Sequence, residues 1–197
     1  MLPILRPMIP SPTAPAGPLL TPRLSLRQAT RQHAPALLAY HLANRAHLRP
    51  WEPARSDAFY TAASTEERLA AMETSAAAGQ AVHLLLFDRT DDSLVGTCNF
   101  TNIVRGAFQA CHLGFSVAQD REGQGLMREC LLAATHFMFA EHGLHRIMAN
   151  HRPENTRSAR LLSSLGFERE GTARAYLKID GSWADHVLTS LINPADA

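Results

Sequence analysis

The residues best suited to bind an anionic ligand form a glycine-containing run near the middle of the chain. It reads Arg121-Glu122-Gly123-Gln124-Gly125-Leu126-Met127-Arg128 and lies between a strand-like segment ending at Val117 and an apolar helical repeat. Glycines let backbone amides approach a ligand closely, and a helix N-terminus adds a partial positive charge, so the run suits a pyrophosphate. The alternative is an ordinary strand-to-helix turn in which glycine supplies only the backbone angles.

Two familiar phosphate-binding loops do not match this run. A P-loop requires Gly-Lys followed by Ser or Thr, and that sequence is missing from the chain. A dinucleotide-binding loop requires a third glycine where Arg128 stands, and an acidic residue about 20 positions further on. The sequence therefore favours a phosphate loop of another class.

A second motif follows the first at the start of another helical segment. It reads Asn155-Thr156-Arg157-Ser158, with Leu165-Gly166-Phe167 closing the segment. Asn155 can cap the helix and Gly166 can end it, and these local roles explain both residues without any ligand. The order of the two motifs along the chain nevertheless favours a ligand site.

The elements that must position these motifs follow from apolar periodicity and turn residues. Strands are predicted at 24–26, 82–87, 94–102, 109–117 and 146–150, with two more after residue 166. Helices are predicted at 31–41, from Thr65 to Gly79, from Leu126 to about Ala140, and at 155–165. The three central strands are joined by short turns typical of antiparallel hairpins.

Composition narrows the class of protein. The chain has 197 residues, and 19 Lys and Arg against 18 Asp and Glu give a net charge of +1, which is no nucleic-acid signature. No apolar run approaches the roughly 18 residues that a membrane span needs. Six of the twelve prolines fall within residues 1–18, which we interpret as a flexible leader. The predicted organisation is the leader, one domain at 19–192 and a tail at 193–197.

The cysteines and histidines predict neither disulfides nor a metal site. Cys98, Cys111 and Cys130 are an odd number without a Cys-x-x-Cys pair, which fits a reducing cytoplasm. Cys98, Cys111 and His112 fall on neighbouring predicted strands, but their spacing matches no zinc pattern, and neither does that of His142, His145 and His151. We predict no metal.

Taken together, the motifs resemble the acetyl-CoA-binding half of the GNAT acetyltransferase superfamily, and most of all its RimJ/RimL type of ribosomal-protein alanine N-acetyltransferase. The resemblance extends from about Leu19 to Ile192. It is carried by Thr21-Pro22-Arg23-Leu24, Pro50-Trp51-Glu52-Pro53, Asn99-Phe100, Val104-Arg105-Gly106, Leu113-Gly114-Phe115, Gly123-Gln124-Gly125-Leu126-Met127, His145-Arg146-Ile147-Met148-Ala149-Asn150 and Ile179-Asp180-Gly181-Ser182-Trp183.

The resemblance implies an α/β (α+β) GNAT fold: a single mixed, mostly antiparallel sheet of six to seven strands with helices on both faces. It also implies an enzyme that transfers an acetyl group from acetyl-CoA to the N-terminal α-amine of a protein, by direct attack in a ternary complex. The reference pKa of an α-amine, about 8, makes its deprotonation near neutrality easier than that of lysine. A GNAT enzyme acting on a small-molecule amine and a non-catalytic acetyl-CoA-binding module stay open as alternatives.

The family pattern assigns acetyl-CoA to the glycine run and the strand before it. The implied cofactor-binding residues are Phe115, Val117, Glu122, Gly123, Gln124, Gly125, Leu126, Met127, Arg128 and Asn155. Two positions depart from the family, since Glu122 stands where Arg or Gln is usual and Met127 where Gly or Ala is usual. Because a carboxylate repels phosphate, we expect Glu122 to point away and Arg121 or Arg128 to meet the phosphates.

Catalytic and substrate-binding roles also come from the resemblance. Ser158 and Tyr176 are the candidate acids for the leaving thiolate, and His112 is the candidate base, because imidazole titrates in the useful range. His151, His186 and Asp185 are reserves for the base.

The substrate side is assigned to Trp51, Glu52, Arg105 and His151. The resemblance implies that the partner is the N-terminus of a ribosomal protein beginning with alanine. No nucleic-acid or membrane partner is expected, and the protein is expected to be a cytoplasmic monomer or homodimer.

Overall fold

The computed structural model describes residues 17–196. Of the predicted leader, residues 1–16 lie outside this range, as does Ala197 of the predicted tail. At the other end of the predicted domain, the backbone N–H of Asn193 donates to the carbonyl of His145 at 2.8 Å. In the part of the chain that is described, no helix combines the length and the apolar character needed to cross a bilayer.

A single mixed sheet organises the chain. Its strands are β1 (Leu19–Leu20), β2 (Leu24–Gln28), β3 (Val82–Asp88), β4 (Leu94–Val104), β5 (Ala110–Val117), β6 (Arg146–His151), β7 (Glu168–Ile179) and β8 (Ser182–Ile192). They lie in the order β1-β2-β3-β4-β5-β6-β8-β7, and β5 and β6 are the parallel pair among antiparallel neighbours. The expected sheet of six to seven strands has eight, because the two residues of β1 pair with β2.

The helices are α1 (Ala34–Ala43), α2 (Arg45–Leu48), α3 (Ala62–Ala77), α4 (Leu126–Ala140) and α5 (Thr156–Ser164). The helix predicted at 31–41 begins instead with a 3-10 turn at Arg31–His33. The helix predicted from Thr65 starts three residues earlier, because Thr61 caps it by accepting a hydrogen bond from the Ser64 backbone N–H at 3.3 Å.

Helices cover both faces of the sheet, as the fold class required. Leu84 and Leu86 of β3 pack into the apolar cluster formed with α4 and α5, whereas Leu85 and Phe87 pack with α1 and α3. Successive side chains of a strand point to opposite faces, so this alternation assigns one helix pair to each face. We call these the α4 face and the α1 face.

Candidate active site

The parallel strands β5 and β6 separate partway along their length. They pair at Ala110 with Arg146, at Cys111 with Ile147 and at His112 with Met148, and not beyond. Both strands continue, and each keeps its outer neighbour: β4 along β5 to Val117, and β8 along β6 to His151. A wedge-shaped gap therefore opens after His112. Its two backbone edges carry polar groups that need a partner.

The glycine run lies at the end of β5 and opens α4. Gly123 and Gly125 have φ angles of 74° and 75°, in the left-handed region that glycine adopts without strain. No side chain caps the helix, and the backbone N–H groups of 123 to 128 donate to no acceptor within residues 17–196. Free amides and the helix dipole converge there, so the run is a ready site for an anion.

The glycine run is held in place by the segment before β2. Arg23 donates from Nη1 to the carbonyl of Gln124 at 2.8 Å and from Nε to Glu129 Oε2 at 2.7 Å. Thr21 Oγ1 donates to the same carboxylate at 2.6 Å. Thr21 and Arg23 therefore fix the glycine run through the Gln124 carbonyl and the Glu129 carboxylate.

The arginines beside the loop differ in how far they are already engaged. Arg121 donates to Asp88 and Asp91 at 3.3 and 3.4 Å. Arg128 is exposed and forms no ion pair with any residue between 17 and 196. Of the two arginines expected to meet phosphates, Arg128 is thus the one that is unengaged.

The Glu122 carboxylate has partners outside the glycine run. Arg157 of α5 donates a hydrogen bond to its carboxylate, and His47 Nε2 of α2 lies 3.5 Å from it. Sequence reasoning gave Arg157 no role, although it stands inside the second motif. The charge of Glu122 is therefore balanced by Arg157, outside the loop.

The second motif lies beside the first. Asn155 Oδ1 accepts from the Ser158 backbone N–H at 3.1 Å, which is the capping role foreseen for it. The side-chain amide nitrogen of Asn155 and the half-buried hydroxyl of Ser158 make no hydrogen bond in the described range. Because Arg157 binds Glu122, the structure brings Asn155 and Ser158 together with the glycine run.

His112 is the last residue of β5 that still pairs with β6. Its neighbours Cys111 and Leu113 belong to the cluster with α4, so its side chain lies on the α1 face. Its Nδ1 is buried and has no hydrogen-bond partner among residues 17–196, and burial lowers its pKa from the ordinary value of 6.5. The imidazole is thus held neutral at the point where the gap opens.

Two tyrosines border the gap on the α1 face. Tyr40 of α1, which sequence reasoning missed and nothing local could have indicated, shares a 2.8 Å hydrogen bond with Ser116 of β5. Tyr176 is 37% exposed, and its hydroxyl accepts from Asn150 Nδ2 of β6 at 3.3 Å. One tyrosine therefore contacts each of the two diverging strands.

The loop carrying Trp51 and Glu52 is fastened at the far side of the gap. Arg152, just after β6, donates from Nη1 to the Pro50 carbonyl at 3.0 Å, and the Asp180 backbone N–H donates to the Glu52 carbonyl at 2.9 Å. A cavity of about 290 Å³ lies beside this loop.

The Glu52 side chain lines that cavity. It is half-buried, and burial raises its pKa despite Arg55 Nε at 3.8 Å from the carboxylate. Trp51 is 39% exposed. Glu52 therefore reaches the cavity, whereas Trp51 is partly open to solvent.

The structure does not bring Arg105 to the gap. It lies in the β4–β5 hairpin, before the first residue of β5, whereas the glycine run follows the last. Its guanidinium donates to the His142 carbonyl, beyond the C-terminal end of α4. Arg105 therefore lies at the opposite end of β5 from the gap.

The reserve residues are largely engaged in local hydrogen bonds. His151 ends β6 at the gap, but it is buried and its Nδ1 donates to the Arg152 carbonyl at 2.9 Å. His186 Nδ1 donates to the Ala184 carbonyl at 3.0 Å. Asp185 accepts from the Ala175 backbone N–H at 2.8 Å, stabilising an irregular part of β7. In this they differ from His112, whose Nδ1 has no hydrogen-bond partner among residues 17–196.

The cysteines and histidines do not converge on a metal site. Cys98 and Cys111 are buried in the cluster with α4, whereas His112 lies on the other face of the sheet. Between residues 17 and 196 the structure holds no group of three His, Cys, Asp or Glu side chains placed to share a metal ion.

Known proteins are similar to this chain in sequence and in fold. The family model for an acetyltransferase (GNAT) domain matches residues 23–168. The [ribosomal protein uS5]-alanine N-acetyltransferase of Escherichia coli (strain K12) is 44% identical over 176 residues, covering 89% of this chain and 91% of that protein.

Among solved structures, the ribosomal-protein-S5-alanine acetyltransferase of Vibrio fischeri superposes with a TM-score of 0.86 at 37% identity, covering 90% of this chain and 97% of that one. Mycobacterium smegmatis RimJ in complex with CoA-disulfide gives a TM-score of 0.83 at 30% identity, with 87% and 83% covered. The chain, with its sheet, gap and glycine run, therefore belongs to the GNAT acetyltransferase family.

Proposed function

We propose that this enzyme transfers the acetyl group of acetyl-CoA to the N-terminal α-amine of a protein, and that the substrate is a ribosomal protein beginning with alanine. The observation that carries the proposal is the gap between β5 and β6 next to the free amides of α4. The similarity to the uS5-alanine N-acetyltransferase supports the choice of substrate. A ribosomal substrate also puts the reaction in the cytoplasm.

The residues present fit acetyl-CoA as the acetyl donor. The free backbone N–H groups of 123 to 127 and the unpaired Arg128 suit its phosphates. The unpaired backbone edge that includes Phe115 and Val117, together with the free side-chain amide of Asn155, suits the amide-bearing pantetheine arm. CoA in the Mycobacterium smegmatis relative supports this assignment.

The side chains around the gap can carry the proton transfers that acetyl transfer requires. The amine must lose a proton before its nitrogen bonds to the acetyl carbon. Half-buried His112 is the candidate acceptor, through the ring nitrogen Nε2, because its Nδ1 is buried. When the carbon–sulfur bond breaks, the thiolate takes a proton, for which Ser158 and Tyr176 are the candidate donors. The backbone N–H groups on the free edge of β5 can stabilise negative charge on the acetyl oxygen.

Glu52 and Trp51 are the proposed contacts for the peptide. The half-buried Glu52 carboxylate lines a cavity that it shares with Arg45, Arg49 and Arg55, and it can accept hydrogen bonds there from an α-ammonium group. His151, buried at the end of β6, borders the same gap through its backbone. Arg105 is left out of the proposal because of its position at the other end of β5.

Acetylation of short peptides tests the function directly. The enzyme is incubated with acetyl-CoA and a peptide beginning with free alanine. The matched control is the same peptide with a blocked N-terminus and an internal lysine. We expect CoA release and a gain of about 42 Da with the first peptide only. Acetylation of the lysine in the blocked peptide would contradict α-amine selectivity.

Two further outcomes distinguish the alternatives. Tight acetyl-CoA binding without turnover on any peptide would indicate a binding module rather than an enzyme. Turnover on small amines, with none on peptides, would move the substrate to a different class. Comparing ribosomal proteins from cells with and without the gene by mass spectrometry then identifies the natural substrate.

A further inference from the structure

One ion pair joins the two walls of the gap. Glu122 follows β5 in the glycine run, whereas Arg157 follows β6 in the first turn of α5. The contact between them therefore links the segments that follow the two strands, which pair with each other only as far as His112 and Met148. His47 approaches the same carboxylate from α2 at 3.5 Å.

The position of the carboxylate is unusual for a loop that presents free amides to an anion. Without Arg157, a negative charge at 122 would repel any phosphate bound by the neighbouring N–H groups. The partners differ in exposure, because the Arg157 side chain is 74% exposed and that of Glu122 is 23% exposed. An ion pair with one partner this exposed contributes little stability, so it can be exchanged at small cost.

We propose that Arg157 is a phosphate-binding residue of the acetyl-CoA site and that Glu122 competes with the cofactor for it. In the free protein, the carboxylate occupies the guanidinium. When acetyl-CoA binds, one of its phosphates replaces the carboxylate as the partner of Arg157. This inference rests on the proposed acetyl-CoA site.

The chemistry of the two groups favours such an exchange. A guanidinium binds phosphate through two parallel hydrogen bonds, and phosphate offers more acceptor oxygens than a carboxylate. After the exchange His47 Nε2, 3.5 Å from the carboxylate, stays beside Glu122. The competing reading is a static clamp, in which the pair only holds α5 against the glycine run.

Binding measurements on three variants distinguish exchange from a clamp. Calorimetry gives the Kd of acetyl-CoA, and of acetyl-pantetheine, which lacks the phosphates, for Glu122→Gln, Arg157→Gln and the double variant. The control is Arg160→Gln, because Arg160 lies on the same helix and, among residues 17–196, its side chain donates hydrogen bonds only to Thr156.

Competition predicts opposite effects of the two single substitutions. Glu122→Gln should tighten acetyl-CoA binding about five-fold, because a like charge near the phosphates is removed. Arg157→Gln should weaken it about ten-fold, the loss of one charge-assisted phosphate contact. The double variant should bind acetyl-CoA more tightly than Arg157→Gln does, because without Arg157 the repulsion between Glu122 and the phosphates is unshielded. Acetyl-pantetheine should bind all variants alike, as should acetyl-CoA to Arg160→Gln and the unchanged protein.

Several results would overturn the inference. A clamp predicts that both single substitutions weaken binding, and that acetyl-pantetheine shows the same loss. Equal acetyl-CoA affinity in Arg157→Gln and the unchanged protein would remove Arg157 from the site while leaving the proposed function intact. If the unchanged protein does not bind acetyl-CoA, both this inference and the proposed function are wrong. Misfolding cannot imitate the gain expected for Glu122→Gln.

Discussion

The support behind the glycine run can be tested by replacing Glu129 with glutamine. The Glu129 side chain is 15% exposed and accepts hydrogen bonds from Thr21 Oγ1 at 2.6 Å, from the Arg23 backbone N–H at 2.8 Å and from Arg23 Nε at 2.7 Å. Glutamine keeps one carbonyl oxygen for the first two donors. Its NH₂ group would face the Arg23 Nε–H, so that contact becomes donor against donor.

The expected cost follows from these contacts. A hydrogen bond to a charged group contributes about 1.5–3 kcal/mol, and the lower end applies here because the Arg23 side chain is 49% exposed to water. Glu129 also lies in the first turn of α4, where a negative charge contributes about 0.3–1 kcal/mol through the helix dipole. We therefore expect Glu129→Gln to lower the free energy of unfolding by about 2 kcal/mol.

The loss should depend on pH in a definite direction. Partial burial alone would raise the pKa of Glu129, but the hydrogen bonds from Thr21 and Arg23 outweigh it and hold the pKa below the ordinary value of 4.5. A carboxyl group with a lowered folded-state pKa stabilises the protein above its unfolded pKa. That contribution is lost as the pH falls through the folded-state pKa. The two proteins should therefore differ fully at pH 7 and converge in acid.

Urea unfolding followed by circular dichroism measures the difference. The matched control is Glu141→Gln at the other end of the same helix, where the side chain is exposed and has no hydrogen-bond partner in the described range. The control should change stability by less than about 0.5 kcal/mol. Because Arg23 also holds the Gln124 carbonyl, Glu129→Gln should in addition weaken acetyl-CoA binding. If the two variants have equal stability, Arg23 and Thr21 do not support the loop as argued.

Three further predictions test the proposed site. Gly125→Asp should abolish acetyl-CoA binding that calorimetry can detect, because it places a negative charge beside the phosphates. Gly125→Asn adds similar bulk without the charge and should bind acetyl-CoA more tightly than Gly125→Asp. Equal affinities of the two variants would refute the argument from charge repulsion. Of Ser158→Ala and Tyr176→Phe, one should lower kcat at least about ten-fold with an unchanged acetyl-CoA Kd, and full rates in both would exclude them as the acid. His112→Gln should remove the limb of the kcat/KM profile against pH whose midpoint lies below 6.5, because burial lowers the pKa of His112. The limb that reports the substrate amine should stay. An unchanged profile would exclude His112 as the base.

The sequence alone determined those features that neighbouring residues decide. The apolar spacing after Gly125 located α4, and strand-like runs separated by turn residues located the central strands, because each pattern depends on residues a few positions apart. Asn155 was recognisable as a helix cap for the same reason, since it binds the backbone N–H of Ser158, three residues later. The motif order was sufficient to recognise the acetyltransferase family, which the comparisons then confirmed.

Tertiary structure decided which distant groups meet. The extent of the gap depends on where β5 and β6 cease to pair, and the two strands are joined through the whole of α4. The partner of Glu122 is 35 residues away and that of Glu129 is 106 residues away, so neither the Arg157 contact nor the Arg23 support was visible in the sequence. Arg105 was assigned to the substrate by resemblance, yet the hairpin that carries it lies at the opposite end of β5. Local patterns determine elements, but side-chain charges act at a few ångströms, and only the folded chain establishes which of them lie that close.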